Sequence, residues 1–264
     1  MYAFEYQKPS DVNAAVAALK AEGAQPISGG QTLVPTLKMR LNAPDVLVDL
    51  SGIAEMKGVR TEGDMLVIGA ATTHAEVAAS SEAQSAIPAL AALAGGIGDP
   101  QVRNRGTIGG SVANNDPAAC YPSAALALDA TIVTNTREIP AASFFTGLYE
   151  TALDEGEIVT AVKFPIPQGA SYQKFEQPAS RFALTGVFVA KTAGGVRVGV
   201  TGASQNGVFR HEGLEQALSG SFSADAVDGV AVSADGMSSD LHGSPEYRAN
   251  LVKVMTKRAV QAIG

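Results

Sequence analysis

The first quarter of the chain combines two hydrophobic patterns, short apolar runs and apolar residues at helical spacing. The short runs predict buried strands at 25–28, 46–50 and 65–69. Helical spacing predicts a helix over 9–23, capped by Ser10 and ended by Gly23. It predicts a second helix over 31–41, with Leu33, Leu37 and Leu41 on one face. The segment 25–41 is therefore expected to form a strand, a glycine turn and a helix.

The middle of the chain begins with two helix signals and then loses its periodicity. Thr73 and Glu76 have the spacing of a capping box, which begins a helix. The sequence of residues 88–94 predicts a further helix. From 95 to 122 the chain is rich in Gly, Asn, Asp and Pro, so we expect an irregular segment. Long irregular segments inside compact domains usually belong to a functional site.

The remaining pattern predicts an α+β arrangement, because a run of strands precedes a run of helices. Predicted strands lie at 131–134, 157–164, 171–175, 186–192 and 195–201. Predicted helices lie at 124–128, 213–218, 224–231 and 246–263. Two prolines and a glycine at 165–169 indicate a domain boundary. We therefore expect one domain at 1–168, with parts at about 1–55 and 56–168, and a second at 169–264.

Composition excludes several classes of protein. A hydrophobic content of 46% with 17% charged residues is typical of a folded globular chain. The net charge of -7 argues against a nucleic-acid partner, which would require clustered Lys and Arg. The N-terminus has no export-signal pattern, and no window is long enough for a transmembrane helix, so we expect a cytoplasmic protein.

Two glycine-rich segments, 28–32 and 106–111, place paired glycines beside Ser and Thr. Glycine permits positive φ and close approach of a ligand, so successive N–H groups can converge on an anion. Tight turns are the alternative interpretation of each pair. Neither segment has the spaced glycines of the dinucleotide fingerprint or the lysine of the phosphate loop. The alternative is a pyrophosphate site of a different type, formed between two loops that are distant in sequence.

Several motifs in order resemble the FAD-binding medium subunits of molybdenum hydroxylases, the xanthine dehydrogenase and carbon monoxide dehydrogenase family. The two principal motifs are Pro26–Pro35 and Asp99–Pro117, with Ile68–His74 between them. The similarity continues through 155–159, 172–175 and 244–248, and so spans nearly the whole chain. It implies a two-part FAD-binding fold of the vanillyl-alcohol oxidase (PCMH) type, followed by an α+β domain with an antiparallel sheet and helices.

The resemblance also implies a set of FAD contacts in both glycine loops and at three later positions. These are Pro26, Ile27, Ser28, Gly29, Gly30, Gln31, Thr32, Leu33, Thr107, Ile108, Gly109, Gly110, Ser111, Cys120, Ile158 and Lys174. At Cys120 the family commonly has an aspartate, and a thiol is a weaker hydrogen-bonding group. Cys120 is alternatively a small buried hydrophobic residue. Lys174 is expected to stabilise the reduced flavin ring.

The function implied by the resemblance is electron transfer from partner iron–sulfur clusters through FAD to an external acceptor. The resemblance also implies a small iron–sulfur subunit and a large molybdopterin subunit as partners, in a dimer of heterotrimers. The single cysteine agrees with this, because it cannot hold an iron–sulfur cluster. We expect no catalytic acid, no nucleophile and no metal site in this chain. Two alternatives are a self-contained flavin oxidase and a scaffold subunit without flavin.

Arg103 and Arg105 flank the second glycine loop, and each is expected either to neutralise a phosphate or a partner's acidic surface or to be solvated. His74 is expected to be an ordinary polar residue at the start of a helix. His211 and His242 lack neighbours at metal-ligand spacing.

Overall fold

A computed structural model describes all 264 residues. The N-terminal segment forms a three-stranded parallel sheet in the order β1-β3-β2. Its elements are β1 (Glu5–Gln7), α1 (Val12–Ala18), β2 (Ala24–Ile27), α2 (Leu33–Lys38) and β3 (Val46–Asp49). The central strand β3 is buried along its whole length. Strand β1 is too short and polar for the hydrophobic pattern to predict.

Both helices of this segment are shorter than predicted. Asp11, not Ser10, caps α1 by accepting a hydrogen bond from the N–H of Ala14, and the helix ends at Ala18, five residues before Gly23. Helix α2 ends at Lys38 because Arg40 adopts a left-handed conformation, φ 58°. The prediction that Leu41 shares a helix face with Leu33 and Leu37 is wrong, since Leu41 lies beyond the end of α2 and is 73% exposed.

The middle segment forms a five-stranded antiparallel sheet in the order β4-β5-β10-β6-β7, together with six helices, a short hairpin and a further helical turn. Its elements are β4 (Val59–Glu62), β5 (Met65–Gly69), α3 (His74–Ala79), α4 (Ser81–Ala86), α5 (Pro88–Gly95), α6 (Pro100–Arg103), α7 (Ile108–Asn114), α8 (Tyr121–Ala127), β6 (Thr131–Thr134), β7 (Glu138–Pro140), α9 (Ala141–Phe144), β8 (Phe145–Gly147), β9 (Glu150–Thr151) and β10 (Val159–Pro165). The capping box of Thr73 and Glu76 is confirmed, with both reciprocal bonds present.

The expectation of an irregular segment over 95–122 is wrong. Helices α6 and α7 lie inside it, and α8 begins at its end. Asp99 caps α6 and Thr107 caps α7, each by accepting a bond from a backbone N–H three residues later. These helices are four and seven residues long, too short for hydrophobic periodicity to reveal.

The C-terminal segment is a four-stranded antiparallel sheet covered by helices. Its elements are β11 (Gly169–Glu176), β12 (Ala183–Thr192), β13 (Gly195–Thr201), β14 (Phe209–Arg210), α10 (Glu212–Gly220) and α11 (Pro245–Ile263). The predicted helix at 224–231 is reduced to a 3₁₀ turn at Ala224–Val227, after which Asp228 and Gly229 form a turn. The predicted α+β class is confirmed.

Helix α8 joins the middle and C-terminal segments through a shared core. All seven residues of α8 are buried, and the principal hydrophobic core continues into Phe188 and Ala190 of β12. A Cβ atom at Gly199 of β13 would lie 2.1 Å from the carbonyl oxygen of Ser123 in α8. Only glycine therefore lets the C-terminal sheet approach this helix so closely. No helix in the structure combines the length and the apolar character needed to cross a membrane.

A buried carboxylate fixes the segment before β10. The Glu157 side chain is 2% exposed and accepts hydrogen bonds from the Thr134 and Thr136 hydroxyls, the Arg137 guanidinium and the Asp154 N–H. The bond from Arg137, together with the other donors, outweighs burial and holds the pKa of Glu157 far below its usual range.

We predict that Glu157→Gln lowers the free energy of unfolding at pH 7 by about 1 to 3 kcal/mol, because charge-assisted bonds to a buried group are lost. A carboxylate with a depressed pKa stabilises the fold above the unfolded-state pKa. The deficit should therefore shrink as the pH falls below 4.5, the usual pKa of glutamate. Denaturant unfolding at several pH values checks this, with exposed Glu155→Gln as control. A deficit independent of pH would contradict it.

Candidate functional site

The ends of the three parallel strands create the edge on which the first glycine loop lies. Strands β1, β3 and β2 run in the same direction and end at Gln7, Asp49 and Ile27. The loop 28–32 follows β2 directly and leads into α2. Ligands in sheets of this kind bind outside the carboxyl ends of the strands. The strand order therefore places the loop where a ligand is expected.

The second glycine loop packs against the first, although 79 positions separate Ser28 from Thr107. The hydroxyl oxygens of Ser28 and Thr107 lie 3.0 Å apart in a hydrogen bond. A Cβ atom at Gly29 would lie 2.2 Å from the carbonyl oxygen of Arg105 and 2.6 Å from the Cα of Gly106. The two loops that the sequence singled out thus form one surface, and Gly29 is required at their contact.

The first loop presents a run of unused donors. None of the backbone N–H groups from Ser28 to Thr32 donates to a backbone carbonyl, although the carbonyls of Gly30 and Thr32 accept bonds from the next turn. Gly30 has φ +69°, a left-handed conformation that turns the chain into α2. Consecutive unpaired N–H groups around such a residue form a cavity suited to an anion.

The second loop has a different construction, because most of its donors are already used. The N–H groups of Ile108 and Gly109 donate to the carbonyls of Thr72 and Ala70, and that of Gly110 donates to the Thr107 hydroxyl. Gly109 also permits close packing, since its Cβ would lie 2.5 Å from that of Ala70. This loop is thus a rigid platform that offers the Ser111 side chain, whereas Thr107 is 3% exposed and its hydroxyl already bonds Ser28 and Gly110. The sequence suggested converging N–H groups in both loops.

His74 packs against the second loop at the start of α3, the position expected from the sequence, but its burial was not expected. The His74 side chain is 5% exposed and is not an ordinary surface group. The backbone N–H of His74 donates to the Gly106 carbonyl. A Cβ atom on Gly106 would lie 2.7 Å from His74 Nε2. Burial, reinforced by the nearby charge of Arg103, lowers the pKa of His74 to about 4. A neutral imidazole therefore supports the loop from below at neutral pH.

The arginines beside the second loop have separate environments. Arg103 Nη1 donates to the carbonyls of Ile97 and Gly98 at 3.1 and 2.9 Å, so its charge is held by backbone oxygens. The side chain of Arg105 is exposed. Of the two, only Arg105 extends freely into solvent beside the loops.

Asp49 closes the strand edge with a buried negative charge. It accepts hydrogen bonds from the Tyr6 hydroxyl and the Ser51 N–H, and Lys8 lies 3.8 Å away. Burial alone would raise the pKa of Asp49, but these bonds and the Lys8 charge outweigh it and hold the pKa below its usual value. The carboxylate is therefore already paired within the protein and leaves the loop donors free.

Cys120 and Lys174 come together where the middle and C-terminal segments meet. Cys120 is 5% exposed, and burial raises the pKa of its thiol, an effect that the nearby Lys174 charge partly opposes. The Lys174 side chain is 8% exposed and donates to the carbonyls of Gly96 and Arg181 at 2.7 and 2.8 Å. Its closest carboxylate, on Glu176, is 3.7 Å away. The ammonium is thus held mainly by carbonyls.

The other predicted contacts are spread over different environments. Pro26, Gln31, Thr32 and Gly110 are exposed; Ile27, Leu33 and Ser111 are half-buried. Ile158 is 3% exposed within the principal core, where its backbone pairs with Asn135. The side chain of Ile158 thus does not border the surface formed by the two loops.

Comparison with known proteins gives matches over the whole chain. Residues 2–167 match the family described as the FAD binding domain in molybdopterin dehydrogenase. The medium chain of carbon monoxide dehydrogenase from Hydrogenophaga pseudoflava is 34% identical, over 98% of this chain and 96% of that protein. The glyceraldehyde dehydrogenase medium chain of Sulfolobus acidocaldarius is 32% identical, over 98% of each chain.

The fold has equally extensive matches among solved structures. A chain of reconstituted CO dehydrogenase from Oligotropha carboxidovorans superimposes with a TM-score of 0.92 at 32% identity. The superposition covers 99% of this chain and 98% of that one. Similarity of sequence and similarity of fold therefore each extend over nearly the whole chain.

We predict that Gly29→Ala lowers the free energy of unfolding by about 1 to 3 kcal/mol, because its Cβ atom forces the two loops apart. Gly229→Ala is the matched control, since a Cβ there meets nothing within 4 Å. Neither glycine has positive φ, so backbone strain does not distinguish them. Denaturant unfolding of both variants is the measurement, and equal stabilities would refute the required close contact.

Proposed function

This chain belongs to the family of FAD-binding domains in molybdopterin dehydrogenases, and we propose that it is the FAD-binding electron-transfer subunit of a molybdenum-containing hydroxylase. The observation that carries the proposal is the meeting of the two glycine loops at Ser28 and Thr107. Their joint surface combines unpaired N–H groups with hydroxyl groups, which suits the pyrophosphate of a dinucleotide.

The residues of both loops fit FAD in different ways. The N–H groups from Ser28 to Thr32 would bind the pyrophosphate, because they lack backbone partners. The Ser111 hydroxyl would orient the nucleotide from the rigid platform, and Thr107 would act by holding the two loops together through its bonds to Ser28 and Gly110. The flanking residues Pro26, Ile27, Leu33 and Gly110 would shape the two walls, and the buried residues Ile108 and Gly109 would support the second wall from within.

Three further contacts are proposed away from the loops. Cys120 and Lys174 would approach the flavin from the domain junction, where Lys174 retains a charge held mainly by carbonyls. Ile158 would act by packing behind the site, since it is buried in the core. When bound, FAD supplies the ability to accept electrons singly and to release a pair. The protein provides binding, orientation and a positive charge nearby.

The partners proposed are a small iron–sulfur subunit and a large molybdopterin subunit, in a dimer of heterotrimers. The relatives support a multi-subunit assembly because they are designated medium chains. One solved relative is described as lacking the Mo-pyranopterin moiety of its molybdenum cofactor. With a single cysteine, this chain cannot itself hold the iron–sulfur clusters. Electrons would pass from those clusters through FAD to an external acceptor.

The domain division at about residue 168 is part of the same proposal. The family match ends at residue 167, and the separate sheets on either side of about residue 55 suit a two-part FAD-binding unit of the PCMH type. Two rival functions make different predictions. A self-contained oxidase would oxidise an organic substrate without partner subunits, and a scaffold protein would purify without flavin absorbance.

We predict that Gly30→Val and Gly110→Val reduce FAD retention, measured as flavin absorbance per polypeptide. At Gly30 a branched residue would have to adopt a φ of +69°, and its Cβ atom would lie 3.0 Å from the Val34 side chain. At Gly110 the added Cβ atom would lie 3.0 Å from Thr107 Oγ1. Gly63→Val is the control, since Gly63 has φ +62° in open space. Flavin content equal to that of the control in folded variants would contradict the proposed site.

We predict that Cys120→Asp retains FAD at least as well as the wild type, because a carboxylate can accept bonds from ribose hydroxyls or amides worth about 1.5 to 3 kcal/mol. Lys174 nearby would balance the new charge. Thermal unfolding with and without added FAD is the measurement, with Cys120→Ser as a neutral control. A loss of stability that excess FAD does not relieve would place Cys120 outside the site.

A further inference from the structure

Two short segments at the amino ends of the parallel strands form an exposed apolar surface, which we call the amino-edge patch. Its members are Met1, Tyr2, Met39, Arg40 and Leu41. Met1 and Tyr2 are 48% and 53% exposed, and Met39 and Leu41 are 71% and 73% exposed. Single exposed apolar residues are ordinary, but large ones that cluster on a surface mark interaction sites.

The turn after α2 holds the patch in a fixed shape. Arg40 adopts a left-handed conformation, φ 58°, and its guanidinium carbon lies 5.4 Å from the centre of the Tyr2 ring. The N–H groups of Met39 and Leu41 each donate to a carbonyl of α2 at 3.0 Å. Non-glycine residues in a left-handed conformation are uncommon and cluster at functional elements. The two most exposed side chains are therefore presented by a defined turn, which joins them to Tyr2 through Arg40.

The patch lies at the edge of the parallel sheet opposite the first glycine loop. Met1 and Tyr2 precede β1, whose residue Glu5 pairs with Val46 at the start of β3. Asn42 Nδ2 donates to Gln25 Oε1 at 2.9 Å, which fixes the segment after α2 to the beginning of β2. Strands β2 and β3 have four residues each, so about 13 Å separates the two edges. A macromolecule bound to the patch would leave the glycine loop open.

The patch carries positive charge on a chain that is negative as a whole. Segments 1–4 and 31–44 contain Lys38 and Arg40 but no Asp or Glu, whereas the net charge of the chain is -7. Both cations are exposed, and neither forms an ion pair within the protein. Tyr, Met and Arg are enriched at the centres of protein interfaces, and complementary charge selects the partner. The patch therefore suits an apolar protein surface edged by Asp and Glu.

The same charges disfavour a second copy of this chain as the occupant. In a symmetric pair each patch would face its own copy, so four cations would share one interface. The acidic residues next in sequence do not offset them. Glu5 accepts a hydrogen bond from Gln7 Nε2, and the Asp45 carboxylate lies against Gly23. A different subunit with an acidic edge fits the patch better.

We propose that the amino-edge patch docks a partner subunit of the assembly through an apolar surface edged by Asp and Glu. This role rests on the proposed function, which supplies the partner subunits, and it adds the surface that binds one of them. Assembly and dinucleotide binding then use opposite edges of the same parallel sheet.

The test uses the native complex, isolated through an affinity tag at the C-terminus of this chain. Leu41→Cys places an exposed thiol in the patch, whereas the native Cys120 is 5% exposed. We expect a maleimide probe to label Leu41→Cys about tenfold more slowly in the complex than in the isolated chain, because the partner excludes water and probe from the patch. Leu241→Cys is the matched control in the isolated chain, where it should label as fast as Leu41→Cys, since Leu241 is 91% exposed.

Charge reversal tests the chemistry of the partner surface. Arg40→Glu should weaken the complex about tenfold, measured as its dissociation on dilution, because the new carboxylate meets an acidic edge. Arg40→Gln should have a smaller effect, and higher ionic strength should reduce the difference between the two variants. Arg258→Glu is the matched control, since Arg258 is exposed on α11 and forms no ion pair.

The outcomes separate the docking surface from the proposed function. Unchanged labelling of Leu41→Cys in a complete complex, or equal dissociation of Arg40→Glu and Arg258→Glu, would overturn the docking surface alone. A dimer of the isolated chain that protects Leu41→Cys would overturn it in favour of a second copy. A tagged chain that brings down neither an iron–sulfur nor a molybdopterin subunit would overturn the proposed function, and the docking role with it.

Discussion

The contact between the two glycine loops is the constraint on which the site depends. At Gly29 the backbone of one loop lies against the carbonyl of Arg105, and a single additional carbon would separate them. The hydrogen bond between Ser28 and Thr107 joins the same two loops through their side chains. The parallel sheet and the antiparallel sheet therefore have a fixed relation at this point. Every donor proposed to bind the dinucleotide takes its position from that relation.

The two loops differ in how many of their backbone N–H groups are available to bind a ligand. The second loop uses its backbone donors on Ala70 and Thr72 and is supported by the neutral imidazole of His74, so it is rigid before any ligand arrives. The first loop keeps its donors unpaired. Preorganised structure on one side lowers the ordering cost of binding, while the available hydrogen bonds come from the other side.

Local features could be predicted from the sequence, and features that depend on distant residues could not. The capping box at Thr73 requires only residues three positions apart, and the sequence analysis found it. Helix α7 was missed because Thr107 is followed by glycines and lacks a glutamate partner at the third position. The family resemblance identified both loops, but the bond between Ser28 and Thr107 and the burial of His74 follow from packing. Leu41 was misassigned because periodicity does not register the left-handed turn at Arg40.

The close approach of Gly199 to helix α8 has a consequence for how the protein can be divided. The match to the family model ends at residue 167, yet Phe188 and Ala190, beyond that residue, belong to the same hydrophobic core as α8. A fragment ending at the boundary would expose one face of α8 to water and lose its packing partners. The region that matches the family model is therefore shorter than the region that shares this hydrophobic core. Gene fusion or domain exchange in such chains would need to carry the C-terminal sheet along with the flavin-binding region.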